Sequence, residues 1–351
     1  MKDDMRITDV TVDLVELPAQ PPFRWRAGLP GSEGPVTGGI LRVHTDAGLI
    51  GEAHTRRGVI VADLVRRRIR DDLIGRDPLW RELLWQRLWE LDRIEELPIY
   101  ALGLVDVALW DLAGKAANLP VHQLLGTYRD AIPAYASTVT FSCVEEYLDV
   151  ADQCLAAGYT AIKLHAWGDA RADADLCQKL RAHVGDGVPL MYDGSAGFDL
   201  ADAVYVGHAL AEAGYVWYEE PMREFSVTAY RWLAERVAIP LLVAETSDGA
   251  HMNVADFIHA GAASRVRTSA QYKGGITGAM RIAHLAESFQ LRAEVHGTGI
   301  VNAHLCMAIP NTSYYESLVF TNPVVREAAV DPDGMVRAPS APGIGYDTVQ
   351  Y

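Results

Sequence analysis

Cysteine is scarce in this chain. Only Cys143, Cys154, Cys177 and Cys306 occur among 351 residues, far apart and with no C-x-x-C pair. That spacing argues against a disulfide framework or a cysteine zinc site and predicts buried, reduced thiols. No window of 18 uncharged apolar residues occurs, so no segment reads as a membrane span. The opening MKDDMRITDV carries acids where a secretory signal needs bases, and the expectation is a cytoplasmic protein. Positive charge is in deficit: 31 Lys and Arg stand against 46 Asp and Glu, a net charge of −15. Such a surface repels phosphate backbones and anionic membranes, so neither nucleic acid nor a membrane is the expected partner. The charges are scattered, without the runs that mark an interaction tail.

What is present is apolar and periodic. Half of the residues are hydrophobic, enough for a chain of this length to bury a large core. Residues 6–17 alternate apolar and polar like a half-buried strand. Residues 19–39, with four Pro, five Gly and Arg24-Trp25-Arg26, read as a long loop of the kind that carries function. Residues 39–43 and 49–53 flank a turn at 44–48, a hairpin signal. Helical periodicity follows over 59–73, 78–92 and 99–117, the last stopping before Pro120.

From about residue 130 the texture changes. Short apolar runs at 132–137, 161–165, 189–194, 216–221, 240–245, 265–269 and 292–296 alternate with amphipathic stretches such as 145–157, 199–213, 226–236 and 276–289. Strands alternating with helices predict a parallel sheet, and seven or eight such units predict a (β/α) barrel. A Rossmann fold lacks its signature, because no G-x-G-x-x-G follows the first strand of the series.

The runs end in chemistry. Their last residues are Lys163 and His165, Asp193, Glu219, Glu245, Ser269 and His296, with Glu316 beyond. In a barrel these C-terminal ends converge on one mouth, where active sites lie. Asp193, Glu219 and Glu245 are spaced by 26 and 26 residues, one β/α unit each, which places three carboxylates on consecutive strands. Carboxylates crowded about 4 Å apart repel by roughly 4 kcal/mol per pair at an effective dielectric of 20, so the trio calls for a cation. An all-oxygen set suits a hard divalent ion, Mg²⁺ first and Mn²⁺ second, and argues against zinc. Lys163 and His165 differ by two along a strand and so share a face, the barrel interior.

At this point the chain resembles the enolase superfamily, in the branch of mandelate racemase, muconate lactonizing enzyme and the acid-sugar dehydratases. The resemblance rests on ALWDLAGKAANLPVHQLLG, AIKLH, the MYDG, YEEP and AET strand ends, and SAQYKGGITGAMRIAHLAESF, and it spans nearly the whole chain. It implies an α/β class: a (β/α)7β TIM-like barrel over residues 126–320, an N-terminal α+β capping domain over 1–125, and a C-terminal segment, 321–351, returning to the cap. It implies that Asp193, Glu219 and Glu245 bind one Mg²⁺, with Glu219 preferred to Glu220 because the ligand stands two before Pro221. By the same match Lys163 polarises a substrate carboxylate, His165 takes the base position of the Lys-x-Lys motif of relatives, and Glu316 contacts the substrate carboxylate or its enolate. A histidine side chain titrates near pH 6.5, so its neutral form can act as a base near neutrality. His296 matches the other catalytic histidine, but the acid that accompanies it in relatives is Ser269 here, which counts against two-base racemisation.

The resulting expectation is a Mg²⁺-dependent lyase that removes the proton α to a carboxylate and expels a β-hydroxyl, turning a sugar acid into a 2-keto-3-deoxy acid. His165 is the base and His296 the acid. A sugar-acid lactone cycloisomerase and a racemase or epimerase are the alternatives, and a non-catalytic acid-binding barrel is the last. Arg24 and Trp25 are expected to reach the mouth from the cap as substrate-binding residues. Tyr272, Lys273, His54 and Arg56 stay open between the pocket and solvent. Relatives of this kind form dimers or octamers, so a homo-oligomer is expected.

Overall fold

The computed structural model describes residues 5–346 apart from Glu33. Strands β1 (Ile7–Leu17), β2 (Val36–Thr45) and β3 (Ile50–Thr55) form an antiparallel sheet in that order. β2 starts at Val36, so the long loop runs only from 18 to 35. The helical stretch expected over 59–73 is α1 (Gly58–Leu64), a π turn over Val65–Ile69, and α2 (Arg70–Leu73). Then come α3 (Arg81–Glu95), α4 (Ile99–Ala117) and α5 (Val121–Leu125). α4 is apolar almost all round, as a helix packed on both sides must be. It lies on β3 at Gly51, where a Cβ would stand 2.1 Å from the Ala108 carbonyl oxygen.

Eight parallel strands follow: β4 (Ala131–Thr138), β5 (Ala161–His165), β6 (Leu190–Asp193), β7 (Tyr218–Glu219), β8 (Leu241–Val243), β9 (Arg265–Thr268), β10 (Arg292–Val295) and β11 (Tyr315–Val319). One helix separates each consecutive pair: α6 (Val144–Ala156), α7 (Ala170–Val184), α8 (Leu200–Glu212), α9 (Val227–Ala234), α10 (Ala250–His259), α11 (Gly275–Ser288) and α12 (Ile300–Ala308). This is the (β/α)7β order. The pairing runs β10-β9-β8-β7-β6-β5-β4-β11, and a short β12 (Met335–Arg337) joins β4 antiparallel. The sheet is curled, because interior side chains of distant strands meet: Arg267 of β9 donates to the Tyr135 hydroxyl of β4 at 2.9 Å. β5 is buried along its full length, which is how a strand covered on both faces reads.

β7 is the main departure from the sequence reading: only Tyr218 and Glu219 of the run 216–221 keep strand pairing. Past the barrel, Gly343 bridges to Pro120, the Ile344 amide donates to Asp111 at 2.7 Å, and Tyr346 stacks on His54 at 4.0 Å. Cys154, Cys177 and Cys306 are buried free thiols, but Cys143 is exposed, since it precedes α6 at the surface. Among the described residues no helix is long and apolar enough to cross a membrane.

Candidate active site

The strand ends gather the expected side chains into one buried cup. Asp193 closes β6, Glu219 closes β7, and Glu245 stands two residues beyond β8. One carboxylate oxygen from each lies within 4.8 Å of the others. Non-glycine residues with positive φ surround them: Ser195 (44°) and Ala196 (54°) after Asp193, Glu220 (37°) after Glu219, and Ala244 (69°) before Glu245. Such backbone costs on the order of 1–3 kcal/mol per residue and clusters where a site must aim its side chains.

Cations hold the cup together. Lys163, 1% exposed, reaches Glu219 Oε2 at 2.8 Å, Glu316 Oε1 at 2.9 Å and Asp193 Oδ2 at 3.2 Å. Arg267, equally buried, clasps both oxygens of Glu219, through Nε to Oε1 and through Nη2 to Oε2 at 2.8 Å. Its Nη2 also lies 3.6 Å from Glu316 Oε2. Burial pulls the Lys163 ammonium toward neutrality, but Glu219 and Glu316 hold its pKa well above the usual lysine range. Burial likewise pushes Glu316 up, and Lys163 and Arg267 overcome it and keep that carboxyl well below its usual range. Asp193, Glu219, Glu245 and Glu316 outnumber Lys163 and Arg267 in the cup, an excess of negative charge that a divalent ion would reduce. The donor set fits such an ion on a second count: Glu245 Oε2 is buried and has no hydrogen-bond partner.

The two histidines flank the trio. His165 Nδ1 donates to the Thr138 carbonyl at 2.7 Å, so on the neutral ring the lone pair is on Nε2. That atom lies 3.1 Å from Asp193 Oδ2. His296 Nε2 is 3.1 Å from Glu245 Oε1 and 4.0 Å from Glu316 Oε2. Burial disfavours charge on His296, yet the Glu245 and Glu316 carboxylates outweigh it and raise its pKa. Ser269 is buried, and its Oγ accepts the Tyr272 amide at 3.0 Å.

The 18–35 loop covers the cup. Trp25 packs its ring 4.5 Å from that of His165. The loop is pinned by Arg26 Nε donating to the Ser195 carbonyl at 2.9 Å and by the Ala27 amide donating to the Trp167 carbonyl at 3.2 Å. Arg24 is exposed and lines a surface hollow with Pro22 and Thr140 instead of the cup. Lys273 is buried and donates to the Ser247 carbonyl at 2.7 Å, while Tyr272 sets its ring 5.2 Å from His296.

Arg267 and Tyr135 escaped the sequence reading. Arg267 lay inside the run 265–269, two before Ser269 and therefore on its face; that parity was the available signal.

A curled (β/α)7β barrel whose mouth gathers three carboxylates, an inward lysine and two flanking histidines defines a metal-assisted acid–base enzyme class. The family models agree. Residues 146–350 match the enolase C-terminal domain-like model, and residues 19–126 match the N-terminal domain of mandelate racemase / muconate lactonizing enzyme. The chain belongs to the enolase superfamily, among the mandelate racemase and muconate lactonizing enzyme relatives. It is 28% identical to a 3,6-anhydro-alpha-L-galactonate cycloisomerase of Streptomyces coelicolor over 317 residues, 87% of each chain. Among solved structures, D-glucarate dehydratase from Agrobacterium tumefaciens complexed with magnesium superposes with a TM-score of 0.90 at 32% identity, covering 98% of this chain and 97% of the other. A racemase from Streptomyces coelicolor with bound magnesium gives 0.84 at 26% identity, over 97% and 96%.

Proposed function

We propose that this protein is a Mg²⁺-dependent sugar-acid dehydratase. The observation that carries the reading is the placement of two imidazoles at opposite ends of one carboxylate trio, His165 at Asp193 and His296 at Glu245. Magnesium in the superposed dehydratase and racemase supports the ion. Asp193, Glu219 and Glu245 would hold it, with Mn²⁺ as the second choice. When bound, the ion neutralises the charge that builds on the substrate carboxylate as its α-proton leaves.

The chain's own groups do the rest. Lys163 donates to the substrate carboxylate, and Glu316 fixes that lysine. His165 Nε2 removes the α-proton, and the C–H electron pair becomes the double bond of an enediolate. The β C–O bond then breaks, and the leaving oxygen takes its electrons together with a proton from His296 Nε2. Water departs, and the enol rearranges to a 2-keto-3-deoxy acid. His165 gains one proton and His296 loses one, so solvent exchange restores both. The Glu316 carboxylate, with Oε2 4.0 Å from His296 Nε2, favours the protonated ring that this step requires. Trp25 excludes water above His165.

A lactone cycloisomerase is the second reading, favoured by the Streptomyces relative, because it begins with the same proton removal. A panel of aldonic, aldaric and lactone acids, incubated with Mg²⁺ in deuterium oxide, separates them. A keto acid detected by ultraviolet absorbance supports the dehydratase; an isomer formed without loss of water replaces it with the cycloisomerase. α-Deuteration alone means racemisation. The division into a cap over 1–125, a barrel over 126–320 and a returning segment over 321–351 belongs to the same proposal, as does a cytoplasmic homo-oligomer, dimer or octamer.

A further inference from the structure

Glu245 is the member of the carboxylate trio that lies outside the strand ladder. Asp193 and Glu219 are paired across β6 and β7, whereas β8 ends at Val243, two residues short of Glu245. Between them Ala244 has φ 69°, a left-handed conformation that alanine keeps only where its surroundings impose it. Side chains that are not part of the trio impose it. The buried Glu224 carboxylate accepts the Ala244 amide at Oε1 and the Thr246 amide at Oε2, the latter at 2.9 Å, so it grips the backbone on both sides of Glu245. Lys273, in the loop after β9 and 1% exposed, donates to the Ser247 carbonyl at 2.7 Å. The Thr246 hydroxyl donates to Glu220 Oε1 at 2.8 Å. Burial pulls the Lys273 ammonium toward neutrality, and Glu224 is the largest charge opposing that pull. A buried anion and a buried cation, both given over to main-chain atoms of residues 244–247, are costly to desolvate unless that segment must be held in place.

We propose that Glu224 and Lys273, aided by the Thr246–Glu220 bond, are positioning residues for the divalent ion: they clamp the main chain of residues 244–247 and thereby aim the Glu245 carboxylate. This rests on the reading of Asp193, Glu219 and Glu245 as ligands of one ion and adds what holds the third of them. Mg²⁺ demands near-ideal octahedral geometry, so a displaced oxygen weakens its binding. Gln at 224 matches Glu in shape but has a single acceptor oxygen, and its amide N–H groups would face one of the two backbone amides. Met at 273 fills the space without a donor. Either change releases Ala244 from the left-handed region, and Glu245 moves with it. Groups that orient a metal ligand in this way typically change metal affinity by roughly 10–100-fold.

The test is Mg²⁺ titration calorimetry on the full chain as wild type, Glu224→Gln, Lys273→Met and Thr246→Val, with urea denaturation of each metal-free protein. Glu224→Gln and Lys273→Met are expected to bind the ion roughly 10–100-fold more weakly than wild type. In a Glu245→Gln background the same two changes should add less than about twofold, because the ligand they aim is already altered. Reduced metal-free stability with an affinity within about twofold of wild type would assign both residues to packing and overturn the proposal, as would full additivity with Glu245→Gln. Thr246→Val keeps the side-chain shape at an exposed position and decides the matter if neither buried variant folds. It should weaken binding about threefold, the scale of one hydrogen bond, and an unchanged affinity there overturns the proposal too. The wild-type titration separates the two failures. No binding heat in wild type removes the ion and the clamp together, whereas wild-type binding with unchanged variants removes the clamp alone.

Discussion

Arg267 grips Glu219 with two guanidinium nitrogens, deep in the barrel and with both side chains at most 1% exposed. The pair fixes the plane of a carboxylate that must also face a cation. Truncating one partner of a buried ion pair leaves the other charge uncompensated, at a cost of about 3–5 kcal/mol. Arg267→Met should lose stability of that order in urea denaturation without metal. Mg²⁺ should restore part of the loss, because the ion takes over the freed charge. A variant as stable as wild type without metal would show that Lys163 alone suffices.

The two histidines should separate by isotope. Replacing His165 with Asn should abolish both α-deuterium exchange and product formation, by 10²–10⁴-fold for a lost general base. Replacing His296 with Asn should spare exchange and suppress product, because proton removal precedes loss of the hydroxyl. Equal loss of exchange in both variants would assign the histidines a joint role in the first step.

Asp106 gives a pH dependence away from the site. It is buried on α4 and accepts the Thr277 hydroxyl at 2.6 Å and the Thr277 amide at 2.9 Å. Burial raises its pKa from 3.8 to about 7 against those bonds. The folded chain thus holds this proton more tightly than the unfolded chain. The stabilisation is complete below about pH 4 and is lost as pH rises toward 7. At about 1.4 kcal/mol per pH unit, the whole interval amounts to roughly 4 kcal/mol. Asp106→Asn should flatten this part of the stability curve, read by denaturant titration at pH 5 and pH 8. Parallel curves for the two proteins would mean that Asp106 is ionised throughout.

Trp25 tests the lid. It sits on a loop, partly buried against Phe23, His165 and Phe320, so Trp25→Ala should lower the melting temperature by only a few degrees. Its contact with His165 should cost on the order of 10²-fold in kcat/KM, the scale of a misplaced catalytic group. Unaltered kinetics would place the loop outside the reaction.

The barrel and its carboxylate trio were legible because both rest on period. Apolar runs alternating with helices specify the strands, and equal steps between Asp193, Glu219 and Glu245 place those acids at matching strand ends. Lys163 and His165 were legible from strand parity alone. Arg267 was not, since a cation within an apolar run reads as a strand edge until the curl brings Glu219 opposite it. β7 was overcalled because hydrophobicity at 216–218 reports burial, while pairing stops where Glu220 turns to positive φ. Arg24 and Trp25 are adjacent in a Gly- and Pro-rich loop, and only the docked backbone decides that Trp25 turns inward.

Titration calorimetry with Mg²⁺ bears most directly on the central claim, that Asp193, Glu219 and Glu245 hold one divalent ion. The wild-type chain should bind one ion, and Glu245→Gln, which alters the carboxylate with the unpartnered oxygen, should weaken that binding at least tenfold. No binding heat in wild type, or an unchanged affinity in the variant, would contradict it.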